Sequence, residues 1–204
     1  MHPHADRADD IPAARVRLRA MAPGFVEAAL RDNWRQAERL LGAGIPGDLA
    51  GDPQVLCLAR SRLQADPAYG PWAPRAIILA PAGAQSGAQS GAQSGAMIGP
   101  MIGHVGFHTR PGPGYLDAIA PGAVELGYTV FAPHRRQGFA REALAALMDW
   151  AVALHDVPGF VASVSPANAP SLRLIAGLGF VKVAEQTDER DGPEHVFLRD
   201  CARG

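Results

Sequence analysis

The stretch "VELGYTVF", residues 124–131, runs directly into "APHRRQGFAREALAALMDWA", residues 132–151, and the junction decides how the chain is read. The first octet is an apolar run of strand length, rich in Val, Tyr, Thr and Phe. The second passes Arg135, Arg136 and Gly138 and enters a helical period over 139–155. Leu144, Leu147, Met148, Ala151 and Leu154 form one stripe, with Arg141, Glu142, Ala145 and Asp149 facing elsewhere. A helix that starts so abruptly leaves its first backbone N–H groups without carbonyl partners, and its dipole favours an anion there. Gly138 lets a ligand approach the backbone, Ala140 keeps the same side small, and Arg135 and Arg136 add positive charge. The turn alone reads equally as a phosphate or pyrophosphate cradle and as a solvated corner. It has neither P-loop spacing nor the three glycines of a dinucleotide fold.

Outward from this junction the elements alternate. "ARVRLRAM", 14–21, has strand period, with Arg15, Arg17 and Arg19 on a wet face. From Phe25 to Leu41 apolar residues recur at helical steps and stop at Gly42, and a further helix is expected over 53–63 with Asp52 as cap. Strands are expected at 74–80 and 101–109, then at 123–131 and 159–164 on either side of the long helix. A short helix capped by Asn168 follows, and strands 181–185 and 194–200 close across Asp191-Gly192. This order predicts an α+β fold: a mixed, mostly antiparallel central sheet of about six to seven strands flanked by helices.

The 204 residues suit one domain over 13–204, after a loose polar leader at 1–12. The tract "GAQSGAQSGAQSGA" cannot bury enough apolar surface to offset its ordering, so 82–96 is expected to be a flexible hairpin tip. With 48% hydrophobic and 19% charged residues and a net charge of -1, no broad basic field points to nucleic acid or an anionic membrane. No run reaches the roughly 18 to 20 apolar residues of a membrane span, and "MHPHADRADD" lacks the pattern of a secretory signal. Two cysteines, Cys57 and Cys201, give neither a disulfide framework nor a metal spacing. A cytoplasmic, metal-free protein is the expectation.

The junction and the later "NAPSLRLIAGLGF" together resemble the GCN5-related N-acetyltransferase family, and within it the ribosomal-protein acetyltransferase-like branch. The resemblance covers about 123–183. The family's arginine or glutamine, two residues, glycine, one residue, then glycine or alanine is matched by Arg135, Gly138 and Ala140. Its second segment is matched by Asn168, Ser171, Gly179 and Phe180.

The resemblance implies acetyl-CoA as acyl donor and an amine as acceptor. The pyrophosphate would lie on the backbone of Arg136, Gln137, Gly138, Phe139, Ala140 and Arg141, beside Arg135. The pantetheine arm would lie along Tyr128, Thr129, Val130 and Phe131. Asn168 and Ser171 would flank the pantetheine and thioester, where strands 123–131 and 159–164 splay apart. The resemblance leaves a homodimer open. It also leaves open a non-catalytic acyl-CoA-binding module and a transferase for a longer acyl group such as succinyl.

Amine acetylation needs a neutral nitrogen. An alkyl ammonium with pKa about 10.4 is neutral about once in 2,500 molecules at pH 7, a cost of roughly 4 to 5 kcal/mol. Glu125, on the strand before the cradle, is the leading base, acting through water, and it reads equally as a solvated strand residue. His104 and His108 rank second. Many relatives carry a tyrosine seven residues after the asparagine that protonates the leaving thiolate; this chain has Ile175, so Ser171 is the substitute. A second departure is Arg136 and Gln137, where relatives often have glycine and lysine or arginine; Arg136 must accept the cradle's backbone geometry without glycine's freedom.

Overall fold

A computed structural model of the chain describes residues 10–51, 53–80, 99–188 and 192–201. The leader up to residue 9, the Asp52 cap, the 82–96 tip and Asp191 of the hairpin turn lie outside the described residues. The strands are β1 (Ile11–Pro12), β2 (Val16–Ala20), β3 (Arg75–Leu79), β4 (Met101–Phe107), β5 (Val124–Val130), β6 (Gly159–Val164), β7 (Val181–Asp188) and β8 (Gly192–Asp200). The helices are α1 (Pro23–Leu30), α2 (Trp34–Leu41), α3 (Gly47–Gly51), α4 (Gln54–Ala65), α5 (Phe139–His155) and α6 (Ala169–Gly177). The strand order is β1-β2-β3-β4-β5-β6-β8-β7, eight strands rather than the expected six to seven. All the pairings with a defined register are antiparallel except β5 with β6.

The extra strand is β1, inside the segment read as a leader: Ile11 pairs with Leu18 and Pro12 with Arg17. Arg19, expected on the wet face of β2, is instead buried, at 6% exposed. Its Nε donates to Asp10 at 2.9 Å and its Nη1 to the Leu41 carbonyl at 2.6 Å, so the buried charge is matched on both sides.

By contacts the chain forms two compact units, residues 1–106 with 128–147, and 107–127 with 148–204. In the first, Met21, Phe25, Val26, Leu41, Leu56, Ile78 and Phe131 belong to one buried cluster, each large side chain contributing about 1.5–3 kcal/mol of transfer free energy. The helix expected over 25–41 is broken into α1 and α2. Asp32 takes a left-handed φ of 56°, and Asn33 starts α2 by accepting from the Gln36 N–H at 3.3 Å. Asp and Asn tolerate that conformation and compete with the helix for backbone donors.

In the second unit Leu116, Ala120, Ala123, Val161 and Val196 pack together, and Phe107 stacks on Phe160 at 6.2 Å. The parallel ladder holds Val124↔Phe160 and Glu125↔Val161 and goes no further, although β6 continues to Val164. Along α5, Leu144, Leu147, Met148 and Ala151 are buried as their spacing requires, but Leu154 is 67% exposed in the last turn.

Candidate active site

In the first unit β5 ends at Val130, and a 3-10 turn over Ala132–His134 leads to Arg135. The Arg135 Nε donates to the Val130 carbonyl at 2.8 Å, bracing the turn against the strand it leaves. Arg136 then takes φ 60° and Gly138 φ 85°. Two left-handed residues so close in sequence turn successive N–H groups toward one side, the concavity that binds anions in many proteins. Among the described residues, no N–H of residues 136–141 donates to a backbone carbonyl; the first to do so is Glu142, to Gly138 at 3.1 Å. Arg136 is the one non-glycine in this turn held in the left-handed region, a conformation costing about 1–2 kcal/mol in an L-residue. Strain kept at a row of unpaired amides is a mark of function.

Arg15, expected on the wet face of the 14–21 strand, lies in the link from β1 to β2 and closes the turn from outside. Its Nε pairs with Glu142 at 2.8 Å, its Nη1 donates to the Gln137 carbonyl at 3.0 Å, and its guanidinium lies 4.6 Å from the centre of the Phe139 ring. A Cβ at Gly138 would come within 3.3 Å of Arg15 Nη2. The partners are more than 120 residues apart, which is why periodicity and spacing give no sign of them. Gln137 and Arg141 are exposed beside this turn, Phe139 is buried, and Ala140 is half-buried.

The strand expected to meet a pantetheine arm is also shaped by a neighbour. A Cβ on Gly103 of β4 would lie 2.2 Å from the Thr129 carbonyl oxygen, so only glycine lets the two backbones approach there. The Phe131 N–H donates to the Ile102 carbonyl at 2.9 Å. His104, a second-rank base, lies edge-on to Phe131 at 6.5 Å in this unit.

The second unit gathers the titratable groups. Glu125 is 8% exposed. Its Oε1 accepts from Ser163 Oγ at 2.6 Å and its Oε2 from Tyr115 Oη at 2.9 Å, with His108 Nδ1 3.4 Å from Oε2. Burial by itself pushes the Glu125 carboxyl up. His108, Ser163 and Tyr115 outweigh it and hold the group below the ordinary carboxylate value. The cluster extends outward, since Gln186 Nε2 donates to Ser163 Oγ at 3.2 Å and to Glu194 at 3.0 Å. Tyr115 lies in the "TRPGPGYLDAIAPG" loop, 109–122, between β4 and β5, and the structure brings its phenol onto Glu125. Nothing in the sequence signalled Ser163, Gln186 or Glu194.

Also in this unit, Asn168 caps α6 by accepting from the Ser171 N–H at 3.2 Å, with Pro170 in the first turn. Asn168 is exposed, Ser171 half-buried and Ile175 fully buried, so an apolar core side chain occupies the place where many relatives have a tyrosine. Tyr69 and Trp72 are buried in the core, and burial pushes the Tyr69 phenol up to about 12 against the pull of Arg62. A cavity of about 350 Å³ in the first unit is lined by Met21, Val26, Glu27, Arg60 and Leu63 among others. No residue of the cradle or of the Glu125 cluster borders it, so we place the chemistry elsewhere.

Known proteins share this architecture. RimJ of Mycobacterium smegmatis, solved with CoA-disulfide, superposes with a TM-score of 0.55 at 18% identity over 100% of this chain and 91% of that one. A spermidine N-acetyltransferase SpeG chimera from Vibrio cholerae and hSSAT superposes with a TM-score of 0.56 at 15% identity over 93% and 98% of the two chains. At these identities the likeness defines the fold, that of the GNAT acetyltransferases. Residues 15–181 match the acetyltransferase (GNAT) domain family, and the chain belongs to it. An uncharacterized N-acetyltransferase of Bacillus licheniformis, p20, is 36% identical over 61 residues; the match spans 30% of this chain and about a third, 34%, of that relative. Among the described residues no helix is long and apolar enough to cross a membrane.

Proposed function

We propose that the chain transfers an acetyl group from acetyl-CoA to a primary amine, by direct attack with both bound. The observation that carries this reading is the row of unpaired amides over 136–141, bent by left-handed Arg136 and Gly138, in a chain of this family. When bound, the coenzyme supplies an activated thioester; the chain's own groups do the rest.

The 136–141 backbone holds the pyrophosphate, with Arg135 and Arg136 adding charge and Arg15 keeping the turn closed. Tyr128, Thr129, Val130 and Phe131 align the pantetheine arm through their backbone. Asn168 and Ser171 sit beside the thioester. The Ser171 hydroxyl is the one donor this segment offers the departing sulfur, because Ile175 has none, and a thiolate of pKa about 8.5 needs little help. The Glu125 cluster receives the ammonium proton. The family match runs through both compact units, which supports reading 13–204 as one catalytic domain.

The acceptor is a protein N-terminus or a small amine. A structural neighbour described as a ribosomal L7/L12 alpha-N-protein acetyltransferase and one described as a spermidine N-acetyltransferase both support an amine and leave the choice between the two classes to experiment. The test is thiol release from acetyl-CoA across a panel of N-terminal peptides and polyamines, with the product mass measured. An acetylated amine is expected. Coenzyme binding without thiol release from any acceptor would leave a non-catalytic acyl-CoA-binding module.

A further inference from the structure

We infer that His108 takes the acceptor's proton through Nε2 while Glu125 fixes the imidazole through Nδ1, so that the base is the histidine and the carboxylate is a positioning residue. This rests on the acetyl-transfer reading and names the atom that reading leaves open.

Glu125 is badly suited to accept a proton. Both its oxygens already accept hydroxyl hydrogens, Oε1 from Ser163 and Oε2 from Tyr115, and Ser163 is itself held by Gln186. With His108 Nδ1 beside Oε2 as well, a proton added to the carboxylate would compete with these donors inside a nearly closed site, at 8% exposure. Its lowered pKa agrees with a group kept as an anion.

His108 is suited in each respect that Glu125 is not. Its side chain is 43% exposed, against 11% for Glu125. Among the described residues no hydrogen bond uses Nε2. The ring lies over Gly127, where a Cβ would come within 2.8 Å of Nε2, so the strand leaves space for this imidazole. The backbone fixes the pair as well, since the His108 N–H donates to the Glu125 carbonyl at 2.9 Å. With Nδ1 turned to a carboxylate, the proton of the neutral ring belongs on Nδ1 and the lone pair on Nε2. The 3.4 Å separation is long for a hydrogen bond, and catalytic contacts of this kind tighten when substrate binds. Among the described residues, the titratable groups linked to the ring are Glu125 of β5 directly, Tyr115 of the preceding loop through Glu125 and, beyond Ser163 and Gln186, Glu194 of β8.

The step balances. The acceptor ammonium gives one proton to His108 Nε2, and the freed nitrogen lone pair forms the C–N bond to the thioester carbonyl carbon. The C–S bond breaks with its electron pair on sulfur, which takes the second N–H proton, and His108 returns its proton to water.

The test compares wild type, His108→Gln, His108→Ala and Glu125→Gln in single turnover across pH, with ¹⁵N imidazole shifts of the free proteins. His108→Gln should lower the transfer rate by roughly 100-fold or more, leave acetyl-CoA affinity unchanged and abolish the acid-side fall in rate. Added imidazole should restore part of the rate to His108→Ala. Glu125→Gln should cost less and keep that fall. In the free wild type the shifts should show the proton on Nδ1, and in Glu125→Gln a mixture of tautomers. A His108→Gln variant that keeps its rate and acid limb, with Glu125→Gln inactive, overturns the inference. If wild type acetylates no amine, the acetyl-transfer reading falls, and a proton on Nε2 in the free chain overturns the dyad on its own.

Discussion

His108 and Glu125 are joined twice: the His108 backbone N–H donates to the Glu125 carbonyl at 2.9 Å, and His108 Nδ1 lies 3.4 Å from Glu125 Oε2. The first contact sets the register of the second. A carboxylate fixed in this way has a consequence for stability that does not depend on catalysis.

The Glu125 carboxyl is held below its ordinary value of 4.5 in the folded chain. A depressed folded pKa contributes stability that is fully present above the unfolded value and is lost as pH falls through the folded one. Wild type should therefore exceed Glu125→Gln in Tm at pH 7, and the gap should narrow as the pH drops below about 4.5. Thermal melts of both proteins from pH 7 to pH 3.5 measure it. A gap that widens toward acid would contradict the ionised network.

At Gly138 the backbone sits at φ 85°, and a Cβ would approach only the flexible end of Arg15. Gly138→Val should thus lose stability mainly through backbone strain, about 1–2 kcal/mol. It should weaken CoA binding at least tenfold, because the bent amides would reorient. Calorimetric titration beside a denaturation curve separates the two effects.

Arg136 offers the opposite comparison. At φ 60° an alanine is strained and a glycine is not. Arg136→Gly should be more stable than Arg136→Ala by about 1 kcal/mol, read from chemical denaturation. Equal stabilities would mean that the turn is not held left-handed in solution.

Arg15→Ala removes the contacts to Glu142, Gln137 and Phe139 at once. The exposed ion pair by itself is worth little, so stability should change by about 1 kcal/mol or less. CoA affinity should fall several-fold as the Gln137 carbonyl and the start of α5 loosen. Arg15→Lys should not restore it, since a lysine cannot make the two-pronged contact or stack on the ring in the same way.

The sequence made legible whatever is local. The strand from Val124, the turn at Gly138, the helix from Phe139 and the Asn168 cap all follow from residues within a few positions of one another. What stayed hidden is long-range. Arg15 reaches Glu142, Ser163 reaches Glu125 across 38 positions, and Asp10 covers Arg19, and no period or motif encodes such meetings. The break at Asp32 and Asn33 was hidden differently, because the apolar spacing carried on across it. The ranking of Glu125 above His108 as base rests on its place before the turn and on the family resemblance. The hydroxyls that saturate the carboxylate and the glycine that makes room for the imidazole become visible only in three dimensions.

The central claim is that the amides of 136–141 hold the diphosphate of an acyl-CoA. Isothermal titration of acetyl-CoA into the purified chain, in parallel with Gly138→Val, tests it most directly. The account predicts saturable one-to-one binding that weakens at least tenfold in the variant. Equal affinity in the two proteins, or no binding to either, would contradict it.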